Sequence, residues 1–242
     1  MAYLVAVAGI SGSGKGTFAE MAEQHLSLWG LETYTFSTDD CYRDLSYLSQ
    51  EERDQLCFNP QKNFDHPDLI NFEKLRTFVS NLKQGKSFEY PLYDFSTHSP
   101  DHNQKKTVPA TLDIAIIEGI YALHDQETNQ LYDCKIFVDT DPTLAALRRI
   151  RRDVTERGRN IDHIIDQISK TVVPMQKRYV FPTKMYANEV INWRVDETKD
   201  PETIKKELTD LARQRALFIY EQVKGEINPR LELDTVKIPG ID

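Results

Sequence analysis

The stretch Tyr3-Leu4-Val5-Ala6-Val7-Ala8-Gly9-Ile10-Ser11-Gly12-Ser13-Gly14-Lys15-Gly16-Thr17 decides how the rest of this 242-residue chain is read. Residues 3–8 form a continuous apolar run, the pattern of a strand buried on both faces of a parallel sheet. From Gly9 the spacing is G-x-x-x-x-G-K, and helical spacing follows from Thr17 to about Trp29, with Gly30 just past its end. Glycines let the backbone curl until several N–H groups converge on one anion, and the helix adds its positive N-terminal end. Lys15 supplies a mobile cation for the β- and γ-phosphates. Gly9 to Thr17 is therefore the candidate ATP-binding segment, with Lys15 a candidate catalytic group. One position departs from the pattern. The residue after the lysine is ordinarily Ser or Thr, whose hydroxyl binds Mg²⁺, and here it is Gly16. Thr17 comes next, roughly 100° further round the helix. The metal contact is expected from Thr17 or from water.

Outward from this segment, strands alternate with helices. Thr33–Ser37, Ile114–Ile117, Lys135–Asp139 and Val190–Asn192 read as strands. Helices are expected over 51–56, 69–83, 144–156, 161–175 and 201–223. Phe88–Phe95 and Thr107–Val108 read as an antiparallel excursion around a polar loop, Ser96–Lys106. The expected fold is α/β: three layers around a mainly parallel sheet, with a small antiparallel excursion and an arginine-rich lid, in one domain spanning 1–242.

Composition narrows the class. Hydrophobic residues make up 40% and charged residues 28%, enough to bury a core. The net charge of −8 argues against nucleic acid or an anionic membrane surface as partner. Three cysteines without a CxxC pattern suggest neither a disulfide framework nor a zinc site. The apolar N-terminal stretch has no charged leader and is too short to span a bilayer, so a cytoplasmic protein is expected.

In a parallel sheet, chemistry gathers beyond the carboxyl ends of the strands. Asp39 and Asp40 follow the second strand there, and Glu118 ends the Ile114–Ile117 strand. Asp39 is the candidate to orient an acceptor hydroxyl and take its proton. Glu118 is the candidate Mg²⁺ ligand, directly or through water. In an acidic chain, Arg148, Arg149, Arg151, Arg152, Arg157 and Arg159 crowd one short segment. A charge run on a helix is usually a solvated face. Arg149 and Arg152 share a face, however, and Arg157-Gly158-Arg159 ends the helix in a bendable loop. That arrangement also suits a lid closing arginines over phosphates.

With these residues in view, the chain resembles the uridine-cytidine kinase family from about Leu4 to Ile191. The resemblance is carried by the phosphate loop, Thr38-Asp39-Asp40-Cys41-Tyr42-Arg43 and Asn63-Phe64-Asp65-His66-Pro67-Asp68. It continues through the block from Pro91 to Ser99, Ile117-Glu118-Gly119-Ile120, the segment Arg148–Arg159 and the block from Pro182 to Ala187. It implies a kinase using ATP and Mg²⁺ on uridine or cytidine, usually as a homotetramer. It implies roles too. Asp39 matches the catalytic base. Tyr42 and Phe64 match aromatic walls of a nucleoside pocket, and Tyr93 and His98 match readers of the pyrimidine edge. Asp65, Arg149 and Gln167 match groups that hold the ribose. Arg152, Arg157 and Arg159 match lid arginines near the phosphates, and Asp196 matches a contact to the ATP end. Besides Gly16, the chain departs from the family at Cys41, where Phe is usual, and at Pro100, where a basic residue is common.

Two other readings share part of this pattern. A phosphoribulokinase-like or pantothenate kinase-like enzyme would keep the phosphate loop, Asp39 and the lid, without needing Tyr93 and His98. A non-catalytic nucleotide module would be expected to lose Lys15 or Asp39, and both are present. The Asn-Lys-x-Asp guanine motif of GTPases is absent.

Overall fold

The computed structural model describes residues 1–227 apart from Pro60, Lys62, Ser96, Val195 and Glu197. The segment 228–242, which includes most of the motif-free tail, lies outside the described residues. Five strands make the central sheet: β1 (Tyr3–Ala8), β2 (Thr33–Ser37), β5 (Ile114–Glu118), β6 (Cys134–Asp139) and β7 (Glu189–Asn192). Their order is β2-β5-β1-β6-β7, and every pairing is parallel. A central parallel strand must bury both faces, and β1 does. Leu4, Ala6 and Ala8 enter one core with Phe36, Ile117 and Leu75. Val5 and Val7 enter the other with Phe18, Ile116 and Ala216.

The helices cover both faces. They are α1 (Lys15–Leu28), α2 (Gln50–Cys57), α3 (Phe72–Lys83), the short α4 (Gln126–Asn129), α5 (Pro142–Thr155), α6 (Ile161–Gln167), the one-turn α7 (Val173–Met175) and α8 (Pro201–Ile227). Two five-residue π segments and a final 3₁₀ stretch carry the helical path from α6 on to Tyr186. The sequence reading stopped this helix at residue 175. None of the described helices is long and apolar enough to cross a membrane.

Several boundaries differ from expectation, three of them for a clear local reason. Helix α1 starts at Lys15, two residues early, because Gly14 at φ 91° already turns the chain into the first helical bond. Helix α3 starts at Phe72 rather than 69. Pro67–Leu69 forms a 3₁₀ turn, and Asn71 accepts from the Lys74 N–H as the cap. The expected polar loop at 96–106 is largely strand β4 (Ser99–Val108), paired antiparallel with β3 (Phe88–Asp94). Most of β4 is exposed, so its side chains carry no apolar alternation; the backbone ladder pairs it with β3, and Val108 at its end is buried in the core.

The carboxyl ends of the strands lie together. Register places Val7 beside Glu118, and Glu118 beside Ser37.

Candidate active site

Beyond those strand ends lies a cavity of about 750 Å³. At one end it is lined by Ser11, Lys15 and Asp39, and at the other by Tyr42, Phe64, Tyr93 and His98. Asp65, Arg149, Arg152, Arg157, Arg159 and Gln167 complete the wall. Six separate stretches of chain thus deliver the candidate residues to one space, of a size suited to a small ligand.

Packing shapes the phosphate loop. A Cβ on Gly12, at φ 83°, would sit 2.0 Å from the Ala145 carbonyl oxygen on α5. A Cβ on Gly14 would sit 2.4 Å from the Trp193 indole. Only glycine lets the loop pass this close to α5 and to the residue after β7. The Thr140 hydroxyl donates to the Ser13 carbonyl at 2.9 Å, tying the loop to the end of β6.

At the metal side, the Ser37 hydroxyl donates to Glu118 Oε1 at 2.7 Å. Burial raises the Glu118 carboxyl above its ordinary value; Lys15 opposes that and Asp39 adds to it. Two carboxylates within electrostatic reach of each other, beside a lysine, suit a cation that also binds phosphate. The direction from α1 toward Glu118 belongs to residue 16, where a Cβ would lie 3.9 Å from Oε2. Thr17 is exposed and does not line the cavity. Thr17 lies a 100° step further round the helix from that direction. Among the described residues no cluster of three His, Cys, Asp or Glu could cage a metal. Magnesium rarely needs one, since it keeps waters and takes one or two carboxylates with phosphate oxygens.

Asp39 and Asp40 part company. Asp39 faces the cavity. Asp40 is buried beneath it, and its Oδ1 accepts the Tyr93 N–H at 2.9 Å. Burial raises the Asp40 carboxyl, opposed first by that hydrogen bond.

The aromatic end is held from several sides. Phe64 and His98 stack with centroids 4.1 Å apart and planes at 14°. Tyr42 and Tyr93 lie 5.2 Å apart, and the Tyr42 hydroxyl donates to the Phe64 carbonyl at 3.1 Å. His98 sits at φ 53°, a left-handed conformation uncommon for its type, and Leu45 N–H fixes its carbonyl at 3.1 Å. The Tyr93 hydroxyl is buried without a hydrogen-bond partner among the described residues.

Between the two ends, the Asp65 carboxylate accepts from Arg149 and Gln167 at 3.3 Å each and from Thr171 at 3.4 Å. Charge-assisted bonds are usually nearer 2.7–2.9 Å, so this carboxylate is loosely held and can take ligand hydroxyls. Arg157 lies over the Phe95 ring at 4.6 Å. Gly158, at φ 62°, makes the bend between Arg157 and Arg159.

Asp196 is not brought to this space. It is exposed, and its Oδ1 accepts from the Thr198 N–H at 3.0 Å in a local turn. Conversely, sequence reasoning passed over three residues. Arg53 from α2 lines the aromatic end. Ser37 holds Glu118. Asp153 lies beneath the arginines.

Residues 4–199 match the phosphoribulokinase/uridine kinase family. The uridine kinase of Halobacterium salinarum is 36% identical over 189 residues, covering 78% of this chain and 79% of that protein. The mouse uridine-cytidine kinase-like 1 is 39% identical over 191 residues; the match covers 78% of this chain and 33% of the mouse protein. Among solved structures, the phosphoribulokinase of Rhodobacter spheroides superposes with a TM-score of 0.59 at 12% identity, covering 80% of this chain and 73% of that one. That last likeness is one of fold.

Proposed function

We propose, from the premise that the chain belongs to the phosphoribulokinase/uridine kinase family, that it is a nucleoside kinase. It transfers the γ-phosphate of ATP to the 5′-hydroxyl of uridine or cytidine, giving UMP or CMP. One observation carries the acceptor: a single cavity is lined both by Lys15 and Asp39 and by Tyr42, Phe64, Tyr93 and His98, and the buried Tyr93 hydroxyl beside it has no hydrogen-bond partner among the described residues. A buried polar group left unpaired costs free energy, and the polar edge of a pyrimidine would satisfy it. Phe64, Tyr42 and His98 offer flat faces for the ring. Asp65, with Arg149 and Gln167, suits the vicinal diol of ribose.

The phosphate loop cradles the donor through backbone N–H groups. Asp39 orients the acceptor hydroxyl and accepts its proton late, because the transition state is loose. Lys15, Arg152 and Arg157 neutralise charge on the transferring group. Magnesium, when bound with ATP, neutralises the phosphate oxygens; Glu118, water and those oxygens would hold it, with Gly16 contributing no ligand. Assembly as a homo-oligomer and residence in the cytoplasm belong to the same proposal.

The test is the pure protein with ATP, Mg²⁺ and a panel of uridine, cytidine, adenosine, guanosine and ribulose 5-phosphate. Transfer to uridine or cytidine, and not to the purines, is expected. A faster reaction with ribulose 5-phosphate, or none with any nucleoside, overturns the proposal.

A further inference from the structure

Asp153 lies on α5 and its side chain is 0% exposed. A carboxylate so placed is costly unless paired, and this one meets four arginines. Arg152 reaches Oδ1 through Nη2 at 2.9 Å and Nε at 3.1 Å. Arg157 Nη1 lies 3.5 Å from the same oxygen. On the other side, Arg159 Nη1 donates to Oδ2 at 3.1 Å, and Arg149 Nε lies 3.7 Å from it. Burial alone would raise this carboxyl; the arginines, Arg149 first, outweigh burial and hold it below the ordinary carboxylate value. Asp153 does not line the cavity, although all four of its arginines do.

Those arginines point to different work. Arg149 also pairs with Asp65 at 3.3 Å. Arg159 Nη2 donates to Gln167 Oε1 at 2.7 Å, and Gln167 Nε2 donates to Asp65 Oδ2 at 3.3 Å. The contacts close a ring from Asp65 through Arg149, Asp153, Arg159 and Gln167 back to Asp65. Arg152 and Arg157 hang outside that ring on Asp153. Arg157 lies within electrostatic reach of Asp39, at the phosphate end.

We propose that Asp153 is a positioning residue that couples the two substrate sites, so that the bound acceptor tightens the donor and the donor tightens the acceptor. This rests on the reading of Asp65 as the ribose carboxylate. A carboxylate offers about four acceptor positions, and four guanidinium groups compete for those of Asp153. Hydroxyls that take the lone pairs of Asp65 turn Arg149 toward Asp153. Arg152 and Arg157 are then the more easily given up to phosphates. Phosphates that draw Arg152 and Arg157 away leave Arg149 and Arg159 better held, and the ring closes more firmly on the acceptor. Such coupling is reciprocal by thermodynamic necessity.

The experiment is calorimetric titration of the full chain with the β,γ-imido analogue of ATP and Mg²⁺, with and without saturating uridine. Wild type is expected to bind the analogue about five- to tenfold more tightly with uridine present, within the usual span of such couplings. Asp153→Asn should reduce that factor to less than about twofold, by the same arithmetic, while still binding each ligand alone. A purely structural role would lower the unfolding temperature and leave the factor unchanged, and that result overturns the proposal, as does a wild type without coupling. If Asp153→Asn does not fold, Arg159→Gln opens the same ring; coupling retained there is equally fatal. Uridine alone is titrated first. A wild type that takes none refutes the acceptor reading, and the coupling is then read with ribulose 5-phosphate.

Discussion

The two ends of the cavity are built by opposite means. The proposed donor end is contiguous: nine residues, Gly9–Thr17, which would place affinity in backbone N–H groups and one lysine. Its shape is imposed by neighbours that leave no room for a Cβ at Gly12 or Gly14. The proposed acceptor end draws Tyr42, Phe64, Tyr93, His98, Arg149 and Gln167 from separate elements, and would work through side chains. A backbone site admits little variation and serves one ligand class. A side-chain site can be retuned a residue at a time. On that division chemistry should reside near residues 15 and 39, and choice of acceptor near residues 93 and 98.

The largest effect is expected at the proposed donor end. Lys15→Ala should lower kcat by ~10³–10⁵-fold, the range over which a single cation placed on a transferring phosphoryl group acts. Steady-state rates on uridine measure it. Retention of most of kcat would move the phosphate site away from the glycine loop.

Asp39→Asn comes next. A positioned acid–base group contributes ~10²–10⁴-fold, so kcat should fall by that much with ATP affinity preserved. Its loss should appear with every acceptor alike.

At the acceptor end, His98→Ala should reduce kcat/KM by roughly ten- to a hundredfold, the cost of leaving a buried polar group unpaired. Uridine and cytidine should suffer unequally, since one presents a carbonyl and the other an amino group at position 4. Equal wild-type efficiency for both nucleosides in His98→Ala would remove the pyrimidine from that end.

The smallest effect is expected one residue from one of the largest. Asp40→Asn should leave kcat nearly intact, because its amide oxygen can still accept the Tyr93 N–H. Stability should move the other way. The Asp40 carboxyl is raised by burial, so its ionisation at neutral pH costs folded-state stability. The amide cannot ionise. The variant should therefore melt at a higher temperature at pH 7. That advantage should fade as the pH falls through the raised folded value, and vanish below the ordinary 3.8. A melting series from pH 7 to pH 3 checks the sign.

What the sequence made legible follows the same division. The strand, glycine loop and helix around Gly14 could be read from local pattern, because their physics is local: apolar run, turn, helix start. Phe64 and Tyr93, taken one at a time, look like core residues. They were placed in a pocket only through resemblance to a family. Asp153 sits in the middle of a conspicuous arginine run, yet nothing in spacing distinguishes it from a solvated helix carboxylate. Its burial is a tertiary fact. Ser99–Val108 was misread because a ribbon exposed along most of its length leaves no trace in hydrophobic alternation.

The contact between Gly14 and Trp193 has a consequence for how the chain comes into being. The loop lies near the N-terminus, and the indole that walls it arrives with the last strand of the sheet. Contacts this distant in sequence form late in folding, since a long loop must close before they repay its entropy. A chain still emerging from the ribosome would hold the glycines and the lysine of its nucleotide cradle long before the wall that shapes it. Capture of ATP is then an event of completion, available to the finished polypeptide and denied to its fragments.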